Sequence, residues 1–133
     1  MGIRDFVYEF FTLKGFKLQE NNTSESFGDY YDIYTNRDIY FRLVNDKGIE
    51  SIDISNDNQN WYDLLRVKTI LCNEKNLNKV TTFEEYKDFL QTEFANIATL
   101  FNDKNYPTTK KKFEELENER MNQMLSCWHN AVK

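Results

Sequence analysis

Three features of the sequence predict an α+β fold. Apolar residues recur at helical spacing near the N-terminus and again after residue 60, the period changes to two between residues 27 and 55, and Pro107 divides the C-terminal region into two helical stretches. The expected architecture is an antiparallel β-meander of three to four strands. An N-terminal helix, a middle helix and a C-terminal antiparallel helix hairpin pack on one of its faces. With 133 residues and no internal repeat or low-complexity linker, the chain has the size of a single domain, residues 1–133.

The elements follow in order. Ile3, Phe6, Val7, Phe10 and Phe11 share one helical face, and Gly15 is a stop signal. Phe16-Lys17-Leu18-Gln19 alternates and opens a first strand, while Glu20 to Ser26 reads as a polar loop or strand end. Further on, Tyr31, Ile33 and Thr35 share one face and Tyr30, Asp32 and Tyr34 the other. A tight turn at Asn36-Arg37 leads into Ile39, Phe41 and Leu43, which alternate with Tyr40, Arg42 and Val44. Asn45-Asp46-Lys47-Gly48 reads as a type I turn with glycine at its end, before a strand from Ile49 to about Ser55. A four-residue loop there pairs Val44 with Ile49, Phe41 with Ile52, Ile39 with Ile54, Tyr40 with Asp53 and Arg42 with Ser51. That register separates an apolar face from a polar-aromatic one, whereas a one-residue slip mixes them.

Trp61, Leu64, Leu65, Val67, Ile70 and Leu71 suggest a helix of about three turns ending near Asn73. Thr82 with Glu85, and Thr81 with Glu84, have the spacing of a capping box. The helix that follows carries Phe83, Tyr86, Phe89, Leu90, Phe94, Ile97, Leu100 and Phe101 on one stripe. Pro107 opens the last helix with Thr108 or Thr109 as cap, and Phe113, Leu116, Met121, Met124, Leu125 and Trp128 give it an apolar side.

Composition narrows the function. The chain carries a formal charge of −5, which repels nucleic acid and anionic membranes unless a basic patch is segregated. The one basic run, Lys110-Lys111-Lys112, is followed at once by Glu114, Glu115, Glu117 and Glu119 and reads as a solvated helix start. No signal-peptide stretch, myristoylation signal or membrane-length apolar window is present, so a cytoplasmic location is expected. Cys72 and Cys127 match no metal or redox spacing and read as free thiols of a reducing compartment. Abundant Asn, Lys, Ile, Phe and Tyr suggest an AT-rich bacterial source.

Motifs that would carry chemistry fail on their spacing. Asp53-Ile54-Ser55-Asn56-Asp57-Asn58 alternates oxygen ligands like a calcium loop, but Asn58 stands where that loop needs glycine and Leu64 where it needs glutamate. The loop reads instead as a polar turn that caps the Trp61 helix. Cys127 and His129, two residues apart, point in nearly opposite directions on a helix, and a single histidine makes a zinc site improbable. Four glycines, at 2, 15, 28 and 48, cannot build a phosphate-cradling loop. Runs such as Glu84-Glu85-Asp88 complement a helix macrodipole. No catalytic residue, cofactor or metal is therefore expected, and the chain reads as a non-enzyme.

The remaining candidate is the polar sheet face formed by Tyr30, Asp32, Tyr34, Tyr40, Arg42 and Asp53, with Asp29 and Asp38 at its edge. Tyr and Arg dominate the energetics of protein interfaces, and interspersed Asp favours a basic partner. An ordinary solvated face stabilised by cross-strand Tyr–Asp and Tyr–Arg pairs is the plainer reading of the same residues.

The block from Phe27-Gly28-Asp29-Tyr30-Tyr31 through Ile39-Tyr40-Phe41-Arg42-Leu43-Val44-Asn45-Asp46-Lys47-Gly48, then Ile52-Asp53-Ile54-Ser55 and Trp61-Tyr62-Asp63-Leu64, resembles a loose set of small, mostly uncharacterised bacterial proteins. Some of these look like immunity proteins, which neutralise the toxins of interbacterial competition. The similar part covers roughly residues 16–71, and no catalytic residues come with it. The resemblance implies a non-catalytic protein-binding domain that occludes a cognate toxin. The alternatives are a self-associating module in which the same face makes a homodimer, and a small enzyme using acidic residues in a pocket.

Overall fold

The computed structural model describes residues 2–24, 28–72 and 82–132, with side chains described to Leu71 in the middle helix and to Asn122 in the last one. It contains a five-stranded antiparallel meander and four helices. In chain order these are α1 (Ile3–Leu13), β1 (Lys17–Thr23), β2 (Tyr30–Thr35), β3 (Tyr40–Asp46), β4 (Ile49–Ser55), β5 (Tyr62–Asp63), α2 (Leu64–Cys72), α3 (Phe83–Phe101) and α4 (Tyr106–Val132). The strands lie side by side in sequence order, so each pairs with its chain neighbour and the sheet needs no crossover.

The α+β expectation holds, with five strands instead of three or four. The segment beyond Glu20 is strand as far as Thr23. Trp61 lies outside the middle helix, because Tyr62 and Asp63 pair with β4 first and the helix starts at Leu64. The Asp63 carboxylate accepts the backbone N–H of Leu65 at 2.9 Å, so it supplies the cap that the Asp53–Asn58 loop was expected to give. At α3 the start at Phe83 agrees with the Thr82 signal, yet the Thr82 hydroxyl makes no capping hydrogen bond. The last helix begins at Tyr106, before either expected threonine cap, and Thr109 is instead buried with its hydroxyl donating to the Leu100 carbonyl at 2.7 Å. That bond ties the two helices of the hairpin together. The expected helix end near Asn73, the Thr81–Glu84 pair, and the side chains of Cys72, Met124, Leu125, Cys127, Trp128 and His129 lie outside the described residues.

Both central hairpins differ from expectation in register. Between β3 and β4, Phe41 pairs with Ile54, Leu43 with Ile52, and Asp46 with Ile49, leaving Lys47-Gly48 as a two-residue loop. The register is thus two residues from the expected one, which preserves the faces while changing every partner. Lys47 and Gly48 both have positive φ, 54° and 84°, the signature of a type I′ turn, whose twist matches that of the strands. Between β2 and β3, Thr35 pairs with Tyr40 across a four-residue loop. The Asn36 carboxamide accepts the N–H groups of Asp38 and Ile39 at 2.9 and 3.0 Å there.

Both loops contain an even number of residues, so even-numbered residues of β2 stand opposite odd-numbered ones of β3. Tyr34 therefore faces Phe41, and Asp32 faces Leu43. Those partners lie on the covered face, where Val7, Phe11, Phe41, Leu43, Ile52, Ile54, Val67, Leu90, Ile97 and Phe113 form one core fed by all four helices. Phe11 is its centre, within 4.7 Å of the Phe41 ring and 5.1 Å of Tyr34.

The same register buries a carboxylate. Asp32 is 3% exposed and is held by Arg4 of α1 in a two-pronged pair, at 2.9 Å from Nε and 2.7 Å from Nη2. Arg4 also lies 4.1 Å over the Tyr30 ring and donates to the Thr23 hydroxyl at 3.4 Å. Removing the cation would leave Asp32 buried and unpaired. Arg4→Met should lower stability by about 2 kcal/mol in urea unfolding. The double variant Arg4→Met with Asp32→Leu should recover most of that loss, because it removes the stranded charge as well.

The loop after β4 is organised by Asp57. Its carboxylate accepts the N–H groups of Gln59 and Asn60, the Asn60 amide and the Ser55 hydroxyl, at 2.7–3.0 Å. Burial pushes its pKa upward, but these donors outweigh burial and hold it at about 2. A carboxylate with a depressed folded pKa contributes stability that is fully present above the ordinary value of about 4 and is lost as pH falls toward 2. Asp57→Ala should therefore reduce the urea midpoint at neutral pH, with a difference from the parent that shrinks steadily on acidification below about pH 4.

Candidate functional site

The uncovered face of the sheet is set by the strand register. It carries Lys17, Glu20 and Asn22 from β1, Tyr31, Ile33 and Thr35 from β2, Tyr40, Arg42 and Val44 from β3, and Ser51, Asp53 and Ser55 from β4. Each helix gives its buried residues to the core on the opposite face. Ile33, 6% exposed, is buried between its cross-strand neighbours Glu20 and Arg42. Tyr31, Tyr40, Arg42, Val44 and Asp53 are half-buried, as expected for the middle of a sheet face that, among the described residues, no helix covers.

The six residues expected to form one polar-aromatic face are divided between the two. Tyr40, Arg42 and Asp53 lie on the uncovered face. Tyr30, Asp32 and Tyr34 lie on the helix side: Tyr30 donates to Glu50 at 3.1 Å, Asp32 is paired with Arg4, and Tyr34 stacks on Phe11. The expectation joined β2 to β3 by residue type rather than by parity across the turn. An even-numbered loop, including the tight Asn36-Arg37 turn first expected, already places Asp32 opposite a core phenylalanine or leucine. Parity was thus the signal in the sequence that would have exchanged Tyr30, Asp32 and Tyr34 for Tyr31, Ile33 and Thr35. The two edge aspartates also have local roles, since Asp29 accepts the Lys47 N–H at 2.9 Å and Asp38 is exposed in the β2–β3 loop.

At the centre of the uncovered face is a fixed guanidinium. Arg42 Nη2 lies 2.8 Å and Nε 3.2 Å from Asp53 Oδ2, on the directly opposite residue of β4. The guanidinium also stacks 4.3 Å from the ring of Trp61, just before β5. Tyr31, two strands from Asp53, donates to Glu20 of β1 at 3.0 Å. The Asp53 carboxyl is held above the ordinary carboxylate range, first by burial and also by the charge of Asp63 across the β4–β5 pair; Arg42 offsets part of this. Asp63 is itself occupied, accepting the Tyr86 hydroxyl at 2.8 and 3.0 Å as well as capping α2. Both neighbouring carboxylates are thus engaged by structural donors rather than aimed at an open cavity.

Among the described residues, no three His, Cys, Asp or Glu side chains converge as a metal site would require. No helix there is long and apolar enough to cross a membrane. The face presents aromatic area with polar tips around a positioned Arg–Asp pair. Arg42 and Asp53 should couple by about 1 kcal/mol in a double-mutant cycle read by urea unfolding, with Arg42→Ala, Asp53→Ala and the double variant. Comparison of the chain with protein-family models, curated proteins and solved structures finds no match.

Proposed function

We propose that the chain is a non-catalytic protein-binding domain whose contact surface is the uncovered sheet face around Tyr31, Tyr40, Arg42, Val44, Asp53 and Trp61. The observation that carries this reading is the Trp61–Arg42–Asp53 stack on a sheet face that no helix covers among the described residues. Trp, Tyr and Arg contribute most to interface energetics. Here the arginine is already held in one geometry, so less side-chain freedom is lost on association.

The resemblance to immunity-like proteins gives the proposal its sharper form, an intracellular antidote that occludes a cognate toxin. A formal charge of −5 fits a basic partner, such as a toxin whose cleft binds nucleic acid, and would speed its capture at low salt. An enzymatic role for acidic residues has less support, because Asp53 and Asp63 are each committed to structural partners.

Affinity capture from the source cell, with mass spectrometry of the bound proteins, tests the proposal. A single stoichiometric partner should be recovered, and Tyr31→Ala with Tyr40→Ala should weaken its binding at least tenfold, about 1.4 kcal/mol. Tyr8→Ala, an exposed tyrosine on α1, serves as the control and should leave binding unchanged. A partner bound equally well by the double variant would remove this face as the contact surface.

A further inference from the structure

The sheet has two unlike edges. β5 is two residues long and leads directly into α2, whereas β1 is a seven-residue strand whose residues are all exposed and whose outer edge is unpaired in the meander. An open edge of this length presents N–H and C=O groups to any strand that can align with it. The question is which strand.

The irregularity in β1 supplies an answer. Leu18 pairs with Tyr34 and Glu20 with Ile33, so Gln19 is an extra residue that resets the alternation. Lys17 and Glu20, three apart in sequence, would lie on opposite faces of a regular strand. Because of the bulge they stand opposite Thr35 and Ile33, two residues apart on β2, and so share the uncovered face. In a two-fold antiparallel pairing of β1 with another β1, Lys17 then stands opposite Glu20 of the copy, twice, and Phe16 falls opposite Asn21 with both on the covered side. Opposite charges at facing positions stabilise a strand pair, and the two-fold axis doubles the effect. On the covered side, Leu18 and Tyr8 lie beside Tyr34 at the outer margin of α1, 39% and 53% exposed, and add apolar area next to the new edge.

We infer that β1 is a self-association edge, and that a second copy of this chain adds to it antiparallel to form one continuous sheet with Lys17–Glu20 pairs across the two-fold axis. Lys17 and Glu20 share the face of Arg42 and Asp53, and Glu20 accepts the Tyr31 hydroxyl at 3.0 Å, but self-association is read on the chain alone with no partner present, so its failure is distinguishable from that of the proposed partner binding.

Sedimentation equilibrium of the full chain at low salt tests it. The parent should show a reversible dimer of the 16.0 kDa chain, with a Kd of about 10–100 micromolar that weakens as salt is raised. Glu20→Lys alone should weaken the dimer at least tenfold, since it sets like charges opposite each other, and the exchange Lys17→Glu with Glu20→Lys should restore it. Both positions are exposed, and circular dichroism checks that each variant is folded. A monomer throughout that concentration range overturns the inference. A dimer unaffected by Glu20→Lys also overturns it, as does a loss that the charge exchange fails to reverse.

Discussion

The pairing of Arg4 with Asp32 is the interaction on which the arrangement of the covered face depends. Two even-numbered hairpin loops oblige β2 to turn Asp32 toward the helices, and a carboxylate in that position is costly unless a cation meets it. α1 delivers the cation from its first turn, and the two-pronged contact fixes the position of the helix along the sheet. With Arg4 anchored over β2, Val7 and Phe11 fall one and two turns further along the same side and enter the core. The buried charge therefore specifies where α1 sits, while the hydrophobic residues around it supply the driving force.

From that anchor the aromatic contacts spread in both directions. Phe11 meets Phe16, Tyr34 and Phe41, and Phe94 of α3 packs against Phe10, Phe16 and Phe41. A second aromatic group joins β5 to the C-terminal hairpin, with Tyr62 stacked on Phe113 at 4.4 Å and touching Phe101 and Tyr106. The short strand β5 is thus a connector. Its tyrosine binds α4, its aspartate caps α2 and receives the Tyr86 hydroxyl of α3, and the tryptophan before it shelters Arg42 on the far side of the sheet. Two strand residues and their predecessor hold three helices and one surface arginine in place.

Much of this was legible in the sequence, and the failures share a cause. Helical spacing gave α1, α3 and the proline-marked hairpin, because a one-sided apolar stripe over several turns has few alternative readings. In β2 the alternation is ambiguous, since both sets, Tyr30-Asp32-Tyr34 and Tyr31-Ile33-Thr35, mix aromatic and polar side chains. Ile33 is no guide to the covered face, because the structure buries it on the uncovered face between Glu20 and Arg42. Composition could not reveal that an aspartate belonged inside, because its partner lies 28 residues earlier in α1. The Lys47-Gly48 turn was misjudged for a local reason: a lysine at positive φ is uncommon, and its residue type signals no such turn. That Tyr40, Arg42 and Asp53 share one sheet face was legible, since those residues belong to strands whose faces are unambiguous.

The bulge at Gln19 has a consequence for chain length. Phe16 reaches the core, where it packs on Phe11 and Phe41, because the bulge takes Gln19 out of the alternation between it and the regular part of β1. In a seamless strand the residues before Glu20 would exchange faces, and Phe16 would be carried to the outside along with the path back to α1. Gln19 thus works as a one-letter shift of reading frame written into the backbone. Gln19 is therefore the one letter of β1 that could be struck without changing the text: its deletion would leave Leu18 opposite Tyr34, Glu20 opposite Ile33 and Phe16 on the covered side, whereas losing a paired residue of the strand would turn the residues before it to the other face.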